Sequence, residues 1–172
     1  MAISEIHHVA MAVRDLDRSV NWYLTALGYR ATLRMTVGDP TLWRMLGLPE
    51  GTHGRSVFVQ GPTRIGQIEL IQWDSSLGDR PDGPQALRPG PFLIAVETTK
   101  PELDPAYDRV VELGEPIMTE PADAELENFG FIRSFVACDP DGTLVEFVAL
   151  PSKDEIDTYR AEQRERTQTE RE

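Results

Sequence analysis

Apolar and polar positions along the chain predict two similar runs of secondary structure. Apolar residues dominate positions 6–13, which predicts a buried strand. From Leu16 onward apolar residues recur three or four positions apart, which predicts a helix capped by Asp15 and ending at Gly28. Further strands or helical turns are predicted over 29–36, 41–48, 55–60 and 65–73. The first half is therefore predicted to be a strand, a helix and three strands.

The same order begins again after a segment rich in glycine and proline. A strand is predicted over 92–97 and a helix over 101–114. Three more strands are predicted over 116–120, 131–138 and 143–150. The acidic stretch 121–128 is expected to be a loop, and Asp139-Pro140-Asp141-Gly142 is expected to be a turn.

Three matching pairs of segments indicate that the two halves are an internal repeat. Residues 9–13 match 92–96, the strand that starts at Arg55 matches the strand that contains Arg133, and the surroundings of Glu69 match those of Glu146. The predicted boundaries are 1–76 for the first module, 77–90 for a linker, 91–150 for the second module and 151–172 for a polar C-terminal helix or tail. Ser152 and Glu155 have the spacing of a capping box at the start of that tail.

Composition and charge exclude several classes of protein. The formal charge is -12, from 17 basic and 29 acidic residues, and this disfavours nucleic acid as a partner. No apolar run reaches the roughly 18 residues of a membrane helix, and no signal peptide is expected at the N-terminus. The single cysteine, Cys138, cannot form an internal disulfide, so a cytoplasmic location is expected.

Two glutamates occupy matching places inside apolar strands. A charged side chain in an apolar strand is costly unless it is paired or binds a metal. Glu69 and Glu146 lie at equivalent depths in the repeat, and His8 enters from the first strand. One imidazole and two carboxylates suit a divalent ion such as Zn, Ni, Co, Mn or Fe(II). The alternative is that both glutamates point to water from an exposed sheet face.

The ends of the two modules carry a family resemblance. The opening His8-Val9-Ala10-Met11-Ala12-Val13, with Asp15-Leu16, and the closing Asp139-Pro140-Asp141-Gly142-Thr143-Leu144-Val145-Glu146-Phe147 resemble the vicinal oxygen chelate superfamily. Its members include glyoxalase I, methylmalonyl-CoA epimerase, fosfomycin-resistance proteins, extradiol dioxygenases and bleomycin-binding proteins. The resemblance covers roughly residues 5–150 and implies an α+β fold, with two βαβββ modules forming curled mixed sheets around a central cleft.

The resemblance also implies a metal site with one departure from the family pattern. His8, Glu69 and Glu146 match three of the four metal positions of the superfamily, and the third position falls at Pro91. Proline has no side-chain ligand, which leaves open whether a metal is bound. The missing histidine counts most against an extradiol dioxygenase, whose metal is held by two histidines and a carboxylate.

Two classes of function follow. The first is a metal-dependent lyase or isomerase that moves a proton on a small oxygenated substrate through an enolate, with Glu146 or Glu69 as the general base. The second is a protein that binds an antibiotic or another aromatic small molecule without turning it over. By analogy with the superfamily, a homodimer is expected.

Residues around the predicted site provide weaker candidates for a substrate pocket. Trp73 shares the strand face of Glu69 by alternation, and Trp43 is a second aromatic candidate. His53 is either a solvated loop residue, a lid residue or a replacement ligand. Arg55 and Arg133 either clamp an anionic group of a ligand or pair with the acidic surface. By the same alternation, His7 is expected on the opposite face from His8, in a structural role.

Overall fold

The structure, a computed structural model, describes residues 5–75, 77–78 and 90–169, so most of the predicted linker lies outside the described residues. The elements follow the predicted order. They are β1 (His8–Ala12), α1 (Leu16–Leu27), β2 (Arg30–Val37), α2 (Pro40–Leu46), β3 (Gly54–Gln60), β4 (Gln67–Trp73), β5 (Leu93–Thr98), α3 (Lys100–Leu113), β6 (Ile117–Leu126), β7 (Gly130–Cys138), β8 (Leu144–Ala149) and α4 (Lys153–Thr169).

The chain forms two compact units with the same sheet topology. The first comprises Met1–Pro89 and Asp139–Gly142, and the second comprises Gly90–Cys138 and Thr143–Glu172. The strand orders are β1-β4-β3-β2 and β5-β8-β7-β6. In each sheet the first strand is parallel to the last strand of its module, while the other pairs are antiparallel. The predicted α+β fold, with two βαβββ modules and mixed sheets, is therefore confirmed.

In the first unit, α1 covers one face of the sheet. The Asp15 carboxylate accepts a hydrogen bond from the Arg18 N–H (3.0 Å), and Gly28 ends the helix in the left-handed conformation, as predicted. The apolar stripe of α1 packs on β3 and β4. The core between helix and sheet contains Leu16, Val20, Tyr23, Val57, Val59, Ile68 and Leu70. Burial of this stripe, rather than helix propensity alone, holds α1 in place.

In the second unit, α3 covers the corresponding face. Phe135 and Phe147, on neighbouring strands, stack with their ring centroids 4.5 Å apart, and Tyr107 of α3 meets the Phe135 ring edge-on. Val145 and Ala137 complete this buried face. Within the described residues, no helix is long and apolar enough to span a membrane.

The acidic stretch 121–128 was expected to be a loop, and for most of its length that expectation is wrong. Strand β6 continues to Leu126 and pairs with β7. β6 is an edge strand whose side chains are mostly exposed, so carboxylates can point to water without leaving the ladder. Pro121 lies within an irregular part of the pairing, where a strand tolerates proline.

The predicted capping box at the start of α4 is confirmed. The Ser152 N–H donates to the Glu155 carboxylate (2.7 Å), and the Glu155 N–H donates to the Ser152 hydroxyl (3.3 Å). Lys100 also donates to the Glu155 carboxylate (2.6 Å). These hydrogen bonds to the ionised form, led by that from Lys100, lower the pKa of Glu155 to about 2.

The turn over Asp139–Gly142 belongs to the first unit and is held by polar contacts with α1. Asp139 is 1% exposed, and its carboxyl group accepts a hydrogen bond from the Tyr23 hydroxyl (2.9 Å). The Asp141 carboxylate accepts hydrogen bonds from the backbone N–H and the guanidinium of Arg14 and from the Ser19 hydroxyl. The sequence predicted this turn but not its buried contacts.

Candidate functional site

The sheet of the first unit has a second face, opposite α1, which we call the far face. Side chains that are paired across strands point to the same side of a sheet. Glu69 pairs with Ala10 of β1 and with Phe58 of β3, and its neighbours Ile68 and Leu70 point into the helix-covered core. Glu69 therefore lies on the far face, as alternation along β4 predicts.

His8 and Glu69 form the central pair of this face. The register places His8 beside Gln67, two residues before Glu69 on β4 and on the same face. The His8 Nε2 atom is 3.6 Å from Glu69 Oε2, and the side chains are 38% and 13% exposed respectively. An imidazole and a mostly buried carboxylate are thus directed at each other, with one side of the pair accessible from outside.

Two residues of β3 fix the orientation of this pair. The Ser56 hydroxyl donates a 2.8 Å hydrogen bond to Glu69 Oε1, which leaves Oε2 to face His8. The Phe58 ring meets the His8 ring edge-on, with centroids 5.3 Å apart. Because Ser56 is 1% exposed, its hydroxyl offers Glu69 a donor that water does not displace.

His7 was expected on the opposite face from His8, and that expectation is wrong. The His7 Nδ1 atom lies 2.9 Å from His8 Nδ1, and His7 Nε2 lies 3.3 Å from the Gln67 amide nitrogen. The ladder of β1 begins only at His8, so the alternation of a strand does not govern the side chain of His7. Two imidazoles therefore meet edge-on at this end of the sheet, with their ring centroids 5.2 Å apart.

Glu146 occupies the equivalent place in the second sheet. It pairs with Ala95 of β5 and Val136 of β7, as Glu69 pairs with Ala10 and Phe58. Its neighbours along β8, Val145 and Phe147, are buried on the α3 side, so Glu146 lies on the opposite face. In the part of the chain that the structure describes, no group hydrogen-bonds its carboxylate.

The register changes which residue is the counterpart of His8. Leu93 pairs with Leu144, two residues before Glu146, as His8 pairs with Gln67, two residues before Glu69. The sequence alignment had placed Pro91 there, but Pro91 lies outside β5. Matching the apolar residues of the two strands alone does not show that β5 is shifted by two residues relative to β1. Neither leucine nor proline ligates a metal through its side chain.

Three predicted pocket residues lie near the end of the sheet where β3 begins and β4 ends. Trp73 packs against Gly54, where an added Cβ would lie 2.9 Å from the indole. His53, just before β3, meets the Trp43 ring edge-on, and the Trp43 N–H donates to the Thr52 carbonyl. Trp73 lies roughly 13 Å from Glu69 along β4, at about 3.3 Å per residue. The structure therefore does not bring His53 to the His8–Glu69 pair as a replacement ligand.

The short helix α2 carries Trp43 over this end. The Asp39 carboxylate caps it by accepting a hydrogen bond from the Thr41 N–H (2.7 Å), and this bond lowers the pKa of Asp39. No residue of α2 is fully buried, and its Met45 side chain is 74% exposed. α2 is thus attached mainly through its ends and through Trp43.

The two predicted arginines lie on the helix side of their sheets. Arg55 donates to the Gln72 side chain (3.0 Å), which also accepts from the first N–H of α1. Arg133 pairs with Asp104 of α3 (3.3 Å) and with Asp123 of β6 (3.6 Å). The structure therefore brings neither arginine to the face that carries a candidate glutamate.

Residues that the sequence reasoning missed complete the far face. Ser56, Phe58, Leu33 and Met35 share it by register, and Leu33 and Met35 are 50% and 41% exposed. Ser56 had one signal, because Ser56 and Ser134 match in the repeat just as the two glutamates do. Among the described residues, no group of three or more His, Cys, Asp or Glu side chains is arranged to hold a metal. His8 and Glu69 are the candidate ligands that face each other, and His7 contacts His8 from the side away from Glu69.

Comparisons with known proteins agree with this topology. A family model described as the Glyoxalase/Bleomycin resistance protein/Dioxygenase superfamily matches residues 5–147. No curated protein matches the chain significantly.

Several solved structures share the fold. A glyoxalase family protein from Bacillus cereus is 16% identical, with 88% of this chain and 97% of that chain covered and a TM-score of 0.72. A glyoxylase/bleomycin resistance protein/dioxygenase domain from Frankia sp. EAN1pec is 24% identical, with coverages of 88% and 96% and a TM-score of 0.60. The fosfomycin resistance protein FosX from Listeria monocytogenes, complexed with Mn(II) and sulfate, is 19% identical, with coverages of 90% and 98% and a TM-score of 0.56.

Proposed function

Because the chain belongs to the glyoxalase/bleomycin resistance protein/dioxygenase superfamily, we propose that it is a metal-dependent lyase or isomerase. Its reaction is the transfer of a proton on a carbon next to a carbonyl or hydroxyl group of a small organic substrate. The observation that carries the proposal is the His8–Glu69 pair, 3.6 Å apart and anchored by Ser56 on a face that also holds apolar side chains.

The donor atoms of this pair fit a divalent ion. His8 Nε2 and Glu69 Oε2 are 3.6 Å apart, and both atoms would be able to hold one divalent ion bound between them. Imidazole with carboxylate suits Zn, Ni, Co, Mn or Fe(II). Glu146 stays a prediction as a further ligand or base. When bound, such an ion supplies Lewis acidity that stabilises a developing enolate.

The two glutamates have different surroundings, which favours a division of roles. Glu69 has one oxygen held by Ser56 and the other directed at His8, so its position is fixed. The Glu146 carboxylate has no hydrogen-bond partner among the described residues and is partly accessible. A general base must approach the proton that it removes, and a carboxylate without fixed partners can do so. Glu146 is therefore the proposed base, and Glu69 the proposed anchoring ligand.

The apolar part of the far face favours a substrate with an apolar or aromatic portion. Leu33 and Met35 of β2 are large, exposed and on the same face as Phe58 and Glu69. Pockets for small organic molecules usually combine such walls with a few polar groups. The proposed substrate therefore places its oxygen atoms near His8 and its apolar end toward β2.

A binding protein without catalysis is the second candidate, and one observation favours it. The residue at the place of His8 in the second sheet is Leu93, an apolar residue where a further imidazole would strengthen a metal site. In this case the far face binds an aromatic small molecule and the His8–Glu69 pair orients it by hydrogen bonding. A homodimer in the cytoplasm is proposed for either function, by analogy with the superfamily, and sedimentation of the purified protein tests the dimer.

Metal content and matched serine variants test the proposal. Protein that is reconstituted with Mn(II) or Zn(II) and then desalted is expected to retain about one equivalent of metal per chain. Ser56→Ala is expected to weaken the metal affinity about 10–100-fold, as is typical when the partner of a ligand is lost, while Ser134→Ala leaves it unchanged. Only trace metal after reconstitution would exclude the metal enzyme. Unchanged turnover of an identified substrate by Glu146→Gln would remove Glu146 as the base.

A further inference from the structure

A line of polar side chains connects the backbone before β4 to Glu69. The Gln67 amide nitrogen donates to the Arg64 carbonyl (3.0 Å) and lies 3.3 Å from His7 Nε2. His7 Nδ1 lies 2.9 Å from His8 Nδ1, and His8 Nε2 lies 3.6 Å from Glu69 Oε2. The proposed function uses His8 and Glu69 but assigns no role to His7 or Gln67.

The Arg64 carbonyl fixes the direction of the first hydrogen bonds. A carbonyl oxygen only accepts, so the amide end of Gln67 that faces it must be the nitrogen. That nitrogen carries two hydrogens and accepts none, and therefore it also donates to His7 Nε2. In a neutral imidazole one nitrogen accepts and the other carries the hydrogen. With Nε2 accepting, the hydrogen of His7 lies on Nδ1.

The same reasoning sets the tautomer of His8. The His7 Nδ1–H group donates to His8 Nδ1, which must then accept. The hydrogen of His8 consequently lies on Nε2, which faces Glu69 Oε2. Gln67 is 8% exposed, so water competes little for its amide.

We propose that His7 is a positioning residue which, through its contact with Gln67, holds His8 in the tautomer with hydrogen on Nε2. In the metal-free protein this tautomer directs the His8 Nε2–H group toward Glu69 Oε2, which is 3.6 Å away. A metal binds imidazole through a nitrogen without hydrogen, so ligation through Nε2 requires the His8 hydrogen to move to Nδ1.

A metal held by His8 Nε2 would need the opposite direction of the hydrogen bonds among Gln67, His7 and His8. His7 Nδ1 would then accept from His8, and the His7 hydrogen would lie on Nε2, where it would need an acceptor. Gln67 would provide one only by turning its amide and giving up the bond to Arg64. One hydrogen bond typically changes an equilibrium constant by about 2- to 10-fold. His7 is therefore expected to weaken metal binding at His8 by that factor.

Nitrogen NMR of the ring atoms tests the tautomers directly, and this part does not rest on the proposed function. The full-length protein is labelled with 15N-histidine, freed of metal and measured in mildly alkaline buffer. We expect hydrogen on Nδ1 of His7 and on Nε2 of His8. Hydrogen on Nε2 of His7 in the wild type would overturn the inference, whatever the variants do.

Variants at Gln67 are designed to reverse or remove the hydrogen bond that Gln67 donates to His7. Gln67→Glu replaces the donor with a group that only accepts, so both histidines are expected to change tautomer. Gln67→Met offers neither donor nor acceptor at a similar size, so His7 is expected to lose its preference for Nδ1. Unchanged tautomers in Gln67→Glu contradict the inference.

Metal affinity provides a second readout, and this arm rests on the proposed function. Titration is expected to show that His7→Phe binds Zn(II) about 2- to 10-fold more tightly than the wild type, because His7 no longer holds the His8 hydrogen on Nε2. Weaker or unchanged binding in His7→Phe would mean that His7 is a ligand or a bystander, and would overturn the inference. If the wild type binds no metal, the proposed function fails while the NMR result still decides the roles of His7 and Gln67.

Discussion

The buried hydrogen bond between Tyr23 and Asp139 gives a stability prediction of definite size. Tyr23 is 0% exposed, and its hydroxyl donates to the carboxyl group of Asp139, which is 1% exposed. Tyr23→Phe keeps the ring and its packing and removes one donor from this buried carboxyl group. Removing the donor of a buried acceptor typically costs about 1–3 kcal/mol. For a chain of this size that corresponds to a fall in Tm of about 2–12 °C.

Calorimetry and urea unfolding of wild type and variant measure this change. The matched control is Tyr159→Phe, because the Tyr159 hydroxyl also donates to a carboxylate, that of Glu125 (2.6 Å), but at an exposed place. Water replaces the lost partner there, so the control is expected to unfold almost as the wild type does. A Tyr23→Phe variant no less stable than Tyr159→Phe would refute the reasoning that the turn over Asp139–Gly142 is held by a buried polar contact.

Two further predictions concern close packing and acid stability. Gly54→Ala is expected to destabilise the fold by about 1–3 kcal/mol, because the new Cβ would lie 2.5 Å from a backbone oxygen of β4. The added Cβ of Gly38→Ala meets only the exposed ring of His53, so this variant is expected to be destabilised less. Chemical denaturation of both variants compares their free energies of unfolding. The pKa of Glu155, lowered to about 2 by its bonds from Lys100 and the cap, means that its contribution to holding α4 is complete above about pH 4.5 and is lost as the pH falls toward 2. In the wild type, hydrogen exchange of the α4 amides is expected to become faster as the pH falls from about 4.5 toward 2. The same pH dependence in Glu155→Gln would contradict the role of Glu155 in it.

Local patterns were sufficient to predict the repeat and most of the elements, with the second half of β6 as an exception. Alternation placed Glu69 and Trp73 on one strand face, and the register of β4 with β3 agrees. The caps of α1 at Asp15 and Gly28 followed from residue types whose backbone preferences act within a few residues. These features depend on neighbours along the chain, which a sequence displays directly.

Features set by contacts distant in sequence could not be predicted. The partner of Asp139 is Tyr23, 116 positions away, and no local pattern links the two. The shift that makes Leu93 rather than Pro91 the counterpart of His8 depends on how β5 registers with β8. The position of His7 depends on where the ladder of β1 begins. Each of these results from the competition between strand pairings, which residue types alone do not resolve.

The faces of the two arginines illustrate the same limit. Arg55 and Arg133 lie near the starts of equivalent strands, and the repeat therefore suggested that both contact a ligand. Their alternation relative to Ser56 and Ser134 places both on the helix side, with partners already provided there. Knowing which face is buried against a helix was the missing information.

Anomalous diffraction from crystals grown with Mn(II) or Zn(II) tests the central claim most directly. One strong peak is expected within bonding distance of His8 Nε2 and the Glu69 carboxylate, and no such peak is expected in crystals of His8→Ala. A metal peak that contacts neither His8 nor Glu69, or an empty His8–Glu69 pair in crystals of protein saturated with metal, would contradict it.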